Sequence, residues 1–116
     1  MECEEITGKI ISIFYKVYNM LGDGFLERVY VGAMKVEFDK IGLSCVREML
    51  IKVNYEGVFV EERFCDLLVG EKVLVEVKAI AELRDKNERQ LRNYLKATRV
   101  EVGLLMNFGD EAKFRW

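Results

Sequence analysis

The segment CDLLVGEKVLVEVKA, residues 65–79, holds most of the information about the architecture of this chain. Gly70-Glu71-Lys72 is typical of a tight turn, so we predict a strand on either side of it. The second strand, Val73 to Ala79, is rich in β-branched residues and suits the buried centre of a sheet. Glu76 and Lys78 are two residues apart on it, so their side chains leave the same face, opposite the valines.

Upstream of this segment the sequence predicts two helices and a β-hairpin. Apolar residues repeat with helical spacing over residues 5–21 and 25–41, and a glycine follows each helix. Residues 44–55 alternate between apolar and polar side chains, as a half-buried strand does. Glu56-Gly57 predicts the turn of the hairpin, and residues 58–69 form the returning strand or a bent pair of strands.

Each of these elements has a predicted apolar face. On the first helix the face comprises Ile6, Ile10, Ile13, Phe14, Val17, Tyr18 and Leu21. On the second helix it comprises Leu26, Val29, Tyr30, Ala33, Val36 and Ile41. On the first strand it comprises Cys45, Met49, Ile51, Val53 and Tyr55. Glu37 falls within the face of the second helix, and because a buried unpaired charge is costly, we predict a salt bridge or backbone partner for it.

Downstream, the sequence predicts a third helix and one or two further strands. Asp85 and Glu88 have the spacing of a capping box, and the helix extends to about Thr98. Residues 100–108 form a strongly apolar strand, and residues 112–116 suit a short last strand. The order is ααβββαβ, with one more β if the last strand forms. We therefore predict one domain over residues 1–116, of the α/β (α+β) class, with a mixed sheet flanked by helices.

Composition excludes several kinds of chemistry. The chain has no histidine, which excludes Ser-His-Asp triads and zinc sites built on histidine. Cys3, Cys45 and Cys65 have neither metal-binding spacing nor the even number of a disulfide framework, so we predict that they are reduced. The formal net charge of −2 is unlike that of a strong nucleic-acid binder. No membrane span or secretory leader is evident, and we expect a cytoplasmic protein.

The strand that carries Glu76 and Lys78 is the main candidate for a chemical site. A hairpin through Gly70-Glu71-Lys72 would bring Asp66 alongside Glu76, so two carboxylates and an ammonium would cluster. Two neighbouring carboxylates repel each other unless a cation joins them, and Mg²⁺ or Mn²⁺ suits such oxygen ligands. The spacing alone is weak evidence, and the alternative is a solvated face with ordinary salt bridges.

The third helix offers a second set of candidates. Gln90 and Tyr94 are four residues apart and share one arc of the helix with Leu91, Leu95 and Thr98. On the nearly opposite arc lie four basic residues, Arg89, Arg92, Lys96 and Arg99. These residues could bind phosphates, in which case affinity would fall with salt. The alternatives are a Gln90 that caps the sheet edge and a basic face that is merely solvated.

Taken in order, the motifs resemble one known family. They are GFLERVY at residues 24–30, which is GxxExxY, then Asp66, Glu76-Val77-Lys78, QLRNY at residues 90–94, and GLLMNFG at residues 103–109. This set resembles the GxxExxY protein family, a branch of the PD-(D/E)xK nuclease superfamily, over nearly the whole chain. The Gln-x3-Tyr element is similar to that of RecB-type nucleases.

The resemblance implies a restriction-endonuclease-like core and a role for each matching residue. Asp66, Glu76 and the carbonyl of Val77 would hold the metal, and Glu27 would reach it directly or through water. Lys78 would be the catalytic lysine. Gln90 would position the substrate or the attacking water, with Tyr94 supporting it. Tyr30, one turn beyond Glu27, would orient that carboxylate.

These observations predict an Mg²⁺- or Mn²⁺-dependent enzyme that hydrolyses phosphodiester bonds in DNA, with RNA left open as a substrate. The rival reading is a nucleic-acid-binding or scaffold subunit of a DNA repair or defence complex with little catalysis of its own. A homodimer would widen the DNA-binding surface of so small a chain. Phe114 and Trp116 are candidates for its interface or, alternatively, for the core.

Overall fold

The computed structural model describes residues 1–115, and its secondary structure follows the predicted order. The described part of the chain ends one residue before Trp116, so the prediction made for that side chain lies outside it. The elements are α1 (Cys3–Leu21), α2 (Glu27–Lys40), β1 (Cys45–Tyr55), β2 (Val58–Val69), β3 (Val73–Lys78), α3 (Asp85–Thr98), β4 (Val102–Phe108) and β5 (Ala112–Arg115).

The five strands form one mixed sheet in the order β1-β2-β3-β4-β5. β3 and β4 are parallel and are connected through α3, whereas the other neighbouring strands are antiparallel. Glu56 and Gly57 both have positive φ (50° and 80°), which matches the twist that a two-residue hairpin turn requires. The predicted α/β (α+β) class with a mixed sheet and flanking helices is confirmed.

Hydrophobic side chains pack on both faces of the sheet. α1 and α2 pack on one face, against Val73, Val75 and Val77 of β3. The predicted apolar face of α1 is buried or partly buried there. α3 covers the other face, where Leu91 and Tyr94 pack with Leu74 and Leu105. β3 is buried along nearly all its length, as expected for a central strand. The side chains of its polar residues, Glu76 and Lys78, therefore project from the face of the sheet that α3 covers.

The predicted apolar face of α2 is right for Tyr30 and Ala33, which pack in the core, but wrong for the other four residues. The buried residues are Tyr30, Val31, Met34 and Phe38. Leu26, Val29, Val36 and Ile41 are exposed instead. α2 is apolar on most sides, so periodicity does not select one face. The large aromatic side chains at helical spacing decide which face is buried.

Glu37 lies beside the buried face of α2, and its carboxylate pairs with the Nζ of Lys16 (2.7 Å) and of Lys40 (3.2 Å). The predicted salt bridge is confirmed, and the hydrogen bond from Lys16 is the main cause that lowers the pKa of Glu37.

The predicted apolar face of β1 is right for Met49 and Ile51 but wrong for Cys45. Cys45 packs with the α1–α2 side, whereas Met49 and Ile51 pack with the α3 side. Between them Glu48 has a positive φ of 53°, which interrupts the regular alternation of side chains along the strand. Val53 and Tyr55 lie on the part of the hairpin that extends beyond the core and are exposed.

Two further expectations are settled at the end of the chain and at α3. Asp85 and Glu88 do not form the predicted capping box. Instead the backbone N–H of Arg84 donates to Asn87 Oδ1 at 2.9 Å, while Glu88 Oε1 accepts from Arg115 Nη1 at 3.0 Å. Phe114 lies against Phe14 and Tyr15 at the edge of the core.

The remaining expectations concern cysteines and membranes. All three cysteines are free thiols, and Cys65 is buried. Within residues 1–115 the helices are too short or too polar to cross a membrane.

Candidate active site

Asp66 and Glu76 meet where β2 and β3 separate. The backbone pairing of the two strands ends at Leu67 and Val75. Beyond that pair the side chains take over the hydrogen bonding, as the N–H of Val77 donates to Asp66 Oδ2 at 2.7 Å and the N–H of Asp66 donates to Glu76 Oε1 at 3.2 Å. The predicted placement of Asp66 beside Glu76 is confirmed. Each carboxylate accepts a hydrogen bond from a backbone N–H, so the backbone of the two strands fixes the positions of both carboxylates.

Lys78 continues this arrangement toward α3. Its Nζ lies 3.5 Å from Glu76 Oε2 and donates to Gln90 Oε1 at 3.3 Å. Gln90 Nε2 in turn donates to the hydroxyl of Tyr94 at 3.0 Å. The five side chains of Asp66, Glu76, Lys78, Gln90 and Tyr94 thus form one continuous polar line on the α3 face of the sheet.

Glu76 is the most perturbed acid of this polar line. Only 5% of the residue is exposed. Burial is the main cause that raises the pKa of Glu76, to about 7, and the neighbouring Asp66 raises it further, while Lys78 opposes both. A buried carboxylate beside a second one is ionised at neutral pH only when positive charge faces it.

This raised pKa predicts that the metal-free protein loses stability as the pH rises. A carboxyl group with a higher pKa in the folded chain holds its proton more tightly when folded. The stabilisation is fully present below the ordinary value of 4.5 and is lost as the pH rises through the folded value of about 7. At about 1.4 kcal/mol per pKa unit, we expect the free energy of unfolding to fall by an amount on the order of 3–4 kcal/mol.

The measurement is urea unfolding in EDTA at several pH values across this window. Glu76→Gln cannot titrate, so it should lack this component of the pH dependence. Glu62→Gln, a change at an exposed glutamate on the hairpin, should keep the dependence of the unmodified protein. Equal pH dependence in the unmodified protein and in Glu76→Gln would contradict the assignment.

Glu27 approaches the site from the first turn of α2. It is partly buried, and burial is the main cause that raises its pKa, with Lys78 lowering it and Asp66 raising it. Glu27 therefore lies within electrostatic reach of both residues. It also lines a shallow pocket with Ala79, the residue that follows Lys78.

Tyr30 fixes the turn from which Glu27 starts. Its hydroxyl donates to the carbonyl oxygen of Gly22 (2.7 Å) and accepts from the N–H of Phe25 (3.1 Å). Its ring is fully buried and stacks on Phe108 at a centroid distance of 4.2 Å. Tyr30 thus holds the turn before α2 in place, and any influence on Glu27 passes through that turn rather than through side-chain contact.

The donor set at this site fits a hard divalent cation. Asp66 and Glu76 supply two carboxylates, and the carbonyl of Val77 is the third candidate ligand, a combination that suits Mg²⁺ or Mn²⁺. The buried carboxylate of Glu76 beside that of Asp66 favours a cation, because positive charge would keep the pair ionised. Within residues 1–115 no three acidic, cysteine or histidine side chains form a group able to hold a metal. Glu27 as a further ligand stays a prediction.

Asn107 is a residue of this region to which the sequence reasoning gave no role. It lies opposite Lys78 on β4 and is 2% exposed. Its Oδ1 accepts from the N–H of Ile80 at 3.0 Å and its Nδ2 donates to the carbonyl oxygen of Ile80 at 2.9 Å. Asn107 therefore holds the segment directly after Lys78. The available signal was an amide side chain inside an otherwise apolar strand.

Replacing Gly109 by alanine should displace this same segment. An added Cβ would overlap the carbonyl oxygen of Ile80 and would lie 2.9 Å from Asn107 Nδ2. Since backbone cannot move aside cheaply, we expect a loss of about 1–3 kcal/mol in the free energy of unfolding. Chemical denaturation measures it. Gly8→Ala is the control, because nothing lies within 4 Å of a Cβ there, and alanine should stabilise α1 by up to about 1 kcal/mol. Similar effects of the two changes would contradict the steric argument.

Arg89 and Arg92 of α3 line different clefts. Arg89, Arg92, Lys96 and Arg99 are all exposed. Arg89 lines a groove together with Gln90 and Tyr94. Arg92 instead lines a separate cleft beside Glu88 and Glu101. Binding of nucleic acid by these four residues stays a prediction, but only Arg89 adjoins the polar line.

Comparison with known proteins supports the same architecture. One solved structure, the crystal structure of SSO0001, matches with a TM-score of 0.59 and 19% sequence identity. The match covers 97% of this chain and 56% of that one, so the chain spans little more than half the length of that protein. At this identity the likeness concerns the fold alone. No curated protein sequence matches significantly. The profile of the PD-(D/E)XK nuclease superfamily matches residues 4–116, and the chain belongs to that superfamily.

Proposed function

We propose that this protein is a divalent-metal-dependent deoxyribonuclease that hydrolyses phosphodiester bonds at the polar line from Asp66 to Tyr94. Membership of a nuclease superfamily supports hydrolysis of nucleic acid in general. The observation that carries the proposal is the continuity of the line. The backbone N–H of Asp66 donates to the Glu76 carboxylate, which lies beside the Lys78 ammonium, and Lys78 in turn donates to the Gln90 amide. A structural cluster of salt bridges would have no need of a buried glutamate beside a second carboxylate.

Asp66 and Glu76, with the carbonyl of Val77, would hold Mg²⁺ or Mn²⁺. Such an ion, when bound, polarises a phosphate oxygen and acidifies a bound water. Lys78 faces two acceptors, Glu76 and Gln90, which suits the ammonium form. We therefore assign Lys78 the stabilisation of negative charge that develops on the phosphate, rather than removal of a proton.

Gln90 and Tyr94 would position Lys78 and the substrate. The amide of Gln90 is held at both ends, by Lys78 at Oε1 and by Tyr94 at Nε2. This fixes which end of the amide faces the ammonium. Gln90 thus orients the ammonium of Lys78. The second hydrogen of its Nε2 would donate to a nucleotide.

We also assign the chain to the GxxExxY branch of the superfamily. Gly24 has a φ of 101°, a value that favours glycine, and it lies in the turn held by Tyr30. Glu27 follows that turn directly. Gly24 and Tyr30 of the motif thus shape the turn that would place Glu27, its third residue, near Lys78 and Asp66.

The test is cleavage of linear and circular DNA, single- and double-stranded, and of RNA, in Mg²⁺, Mn²⁺ or EDTA. We expect metal-dependent cleavage of DNA that Asp66→Asn abolishes. Asp23→Asn, at an exposed aspartate, is the matched control and should leave the rate unchanged. If every substrate stays intact and calorimetry detects no Mn²⁺ binding that depends on Asp66, the binding or scaffold role replaces this proposal.

A further inference from the structure

We propose that the groove between the β1–β2 hairpin and α3 binds a single strand of nucleic acid and leads it to Lys78. This inference rests on the proposed function for the position of the scissile phosphate. The substrate class is an unpaired strand, and the cations of the groove, Arg63, Lys86 and Arg89, belong to none of the sequence motifs. The groove has a volume of about 500 Å³.

The groove is lined by both apolar and cationic side chains. On the hairpin side lie Ile51, Val53 and Arg63, and on the α3 side lie Lys86 and Arg89. Ile51 is buried, so the accessible apolar surface on the hairpin side is that of Val53, which is 37% exposed. Apolar surface beside cationic side chains can accept the face of a base while its phosphate meets the charges.

The positive charge of the groove is unneutralised. Arg63, Lys86 and Arg89 make no side-chain hydrogen bond or ion pair with any residue of the described chain, 1–115. No aspartate or glutamate lines the groove. Since the whole chain carries a net charge of −2, this concentration of unpaired cations is local and suits a polyanion.

One end of the groove meets the polar line. Gln90 and Tyr94 belong to the lining, and Gln90 accepts the hydrogen bond from Lys78. A strand that followed the groove would therefore bring one of its phosphates to Lys78 without any rearrangement of α3.

The size of the groove selects a single strand over a duplex. Its volume is of the order that holds one drug-sized ligand, which corresponds to a nucleotide or two rather than a double helix. The cleft on the other side of α3 lacks the same chemistry, because Glu88 and Glu101 line it together with Arg92. The charge and the size of the groove thus indicate the same occupant.

Fluorescence anisotropy in EDTA tests the inference without any cleavage. The probes are a labelled short oligothymidylate, the matching oligouridylate and a blunt duplex of equal length. The variants are Arg63→Gln, Lys86→Gln and Arg89→Gln. Arg47→Gln and Lys52→Gln are matched controls, since both residues are exposed on β1 and line no part of the groove.

We expect the single strand to bind more tightly than the duplex. Each groove variant should weaken single-strand binding several-fold, and the slope of log affinity against log salt should fall by about 0.7 per cation removed. The controls should stay within twofold of the unmodified protein. The oligouridylate shows whether the groove distinguishes DNA from RNA, and tight binding of either single strand supports the inference.

Three outcomes would overturn the inference: no binding of any probe, tighter binding of the duplex, or an equal loss on Arg92→Gln, which would place the strand on the outer side of α3. The proposed function is separable from it. A protein that binds single strands through these residues but never cleaves would refute only the nuclease proposal. A protein that cleaves, with all three groove variants unaffected in binding, would refute only the groove.

Discussion

Replacing Lys78 by methionine should lower the turnover rate for DNA by about a hundred- to ten-thousand-fold, the range typical for loss of one acid–base or charge-stabilising group. Methionine keeps most of the aliphatic side chain, and the remainder of the site is held by backbone bonds to Asp66 and Glu76. The ammonium alone is lost. Because it acts on charge that develops during reaction, we expect turnover to fall while the Michaelis constant changes little.

Steady-state cleavage of a labelled oligonucleotide measures both constants. Lys9→Met serves as the control, because Lys9 is exposed on α1, on the opposite face of the sheet from the polar line. A Michaelis constant that rises with unchanged turnover would mean that Lys78 only binds substrate. Undiminished cleavage would exclude a catalytic role for Lys78.

Replacing Phe108 by alanine should reduce the free energy of unfolding by about 3–5 kcal/mol, as large-to-small changes of buried aromatic residues do. Phe108 is 1% exposed. It stacks on Tyr30 at 4.2 Å and meets the ring of Phe14 edge-on at 4.7 Å. The cavity would therefore open between β4, α1 and α2, where three aromatic rings now support one another.

Denaturant unfolding of Phe108→Ala beside Phe64→Ala gives the measurement. Phe64 is 52% exposed on the hairpin, so the same change there should cost about 1 kcal/mol or less. Phe108→Ala should also loosen the turn before Glu27, since Tyr30 loses its stacking partner. Equal losses from the two changes would contradict the packing described for Phe108.

The order of elements could be predicted because each periodicity is local. The turn at Gly70-Glu71-Lys72 and the spacing of Glu76 and Lys78 were enough to place Asp66 beside Glu76. The face of α2 could not be predicted in this way. It depends on Phe108, which lies far along the chain, and helical spacing alone fits more than one apolar side of α2.

Backbone conformation and loop contacts set the other limits. The positive φ of Glu48 changes the face to which β1 directs its side chains, and no pattern of hydrophobicity reveals it. Asn107 acts on Ile80, and Arg63 faces α3 across a groove. Both relations exist only once distant segments have come together, so residue type and spacing do not disclose them.

The contacts of the polar line all join residues that are close together in the sequence. They join residues 10, 11, 12 and 4 positions apart, whereas the contact of Tyr18 with Gly109 spans 91 positions. Loop-closure entropy rises with the length of chain enclosed, so residues 66–94 assemble at a smaller entropic cost than the shell around them. Insertions at the Glu56-Gly57 turn fall outside these short loops. The outer surface can therefore diverge among descendants of this sequence while the chemistry stays intact.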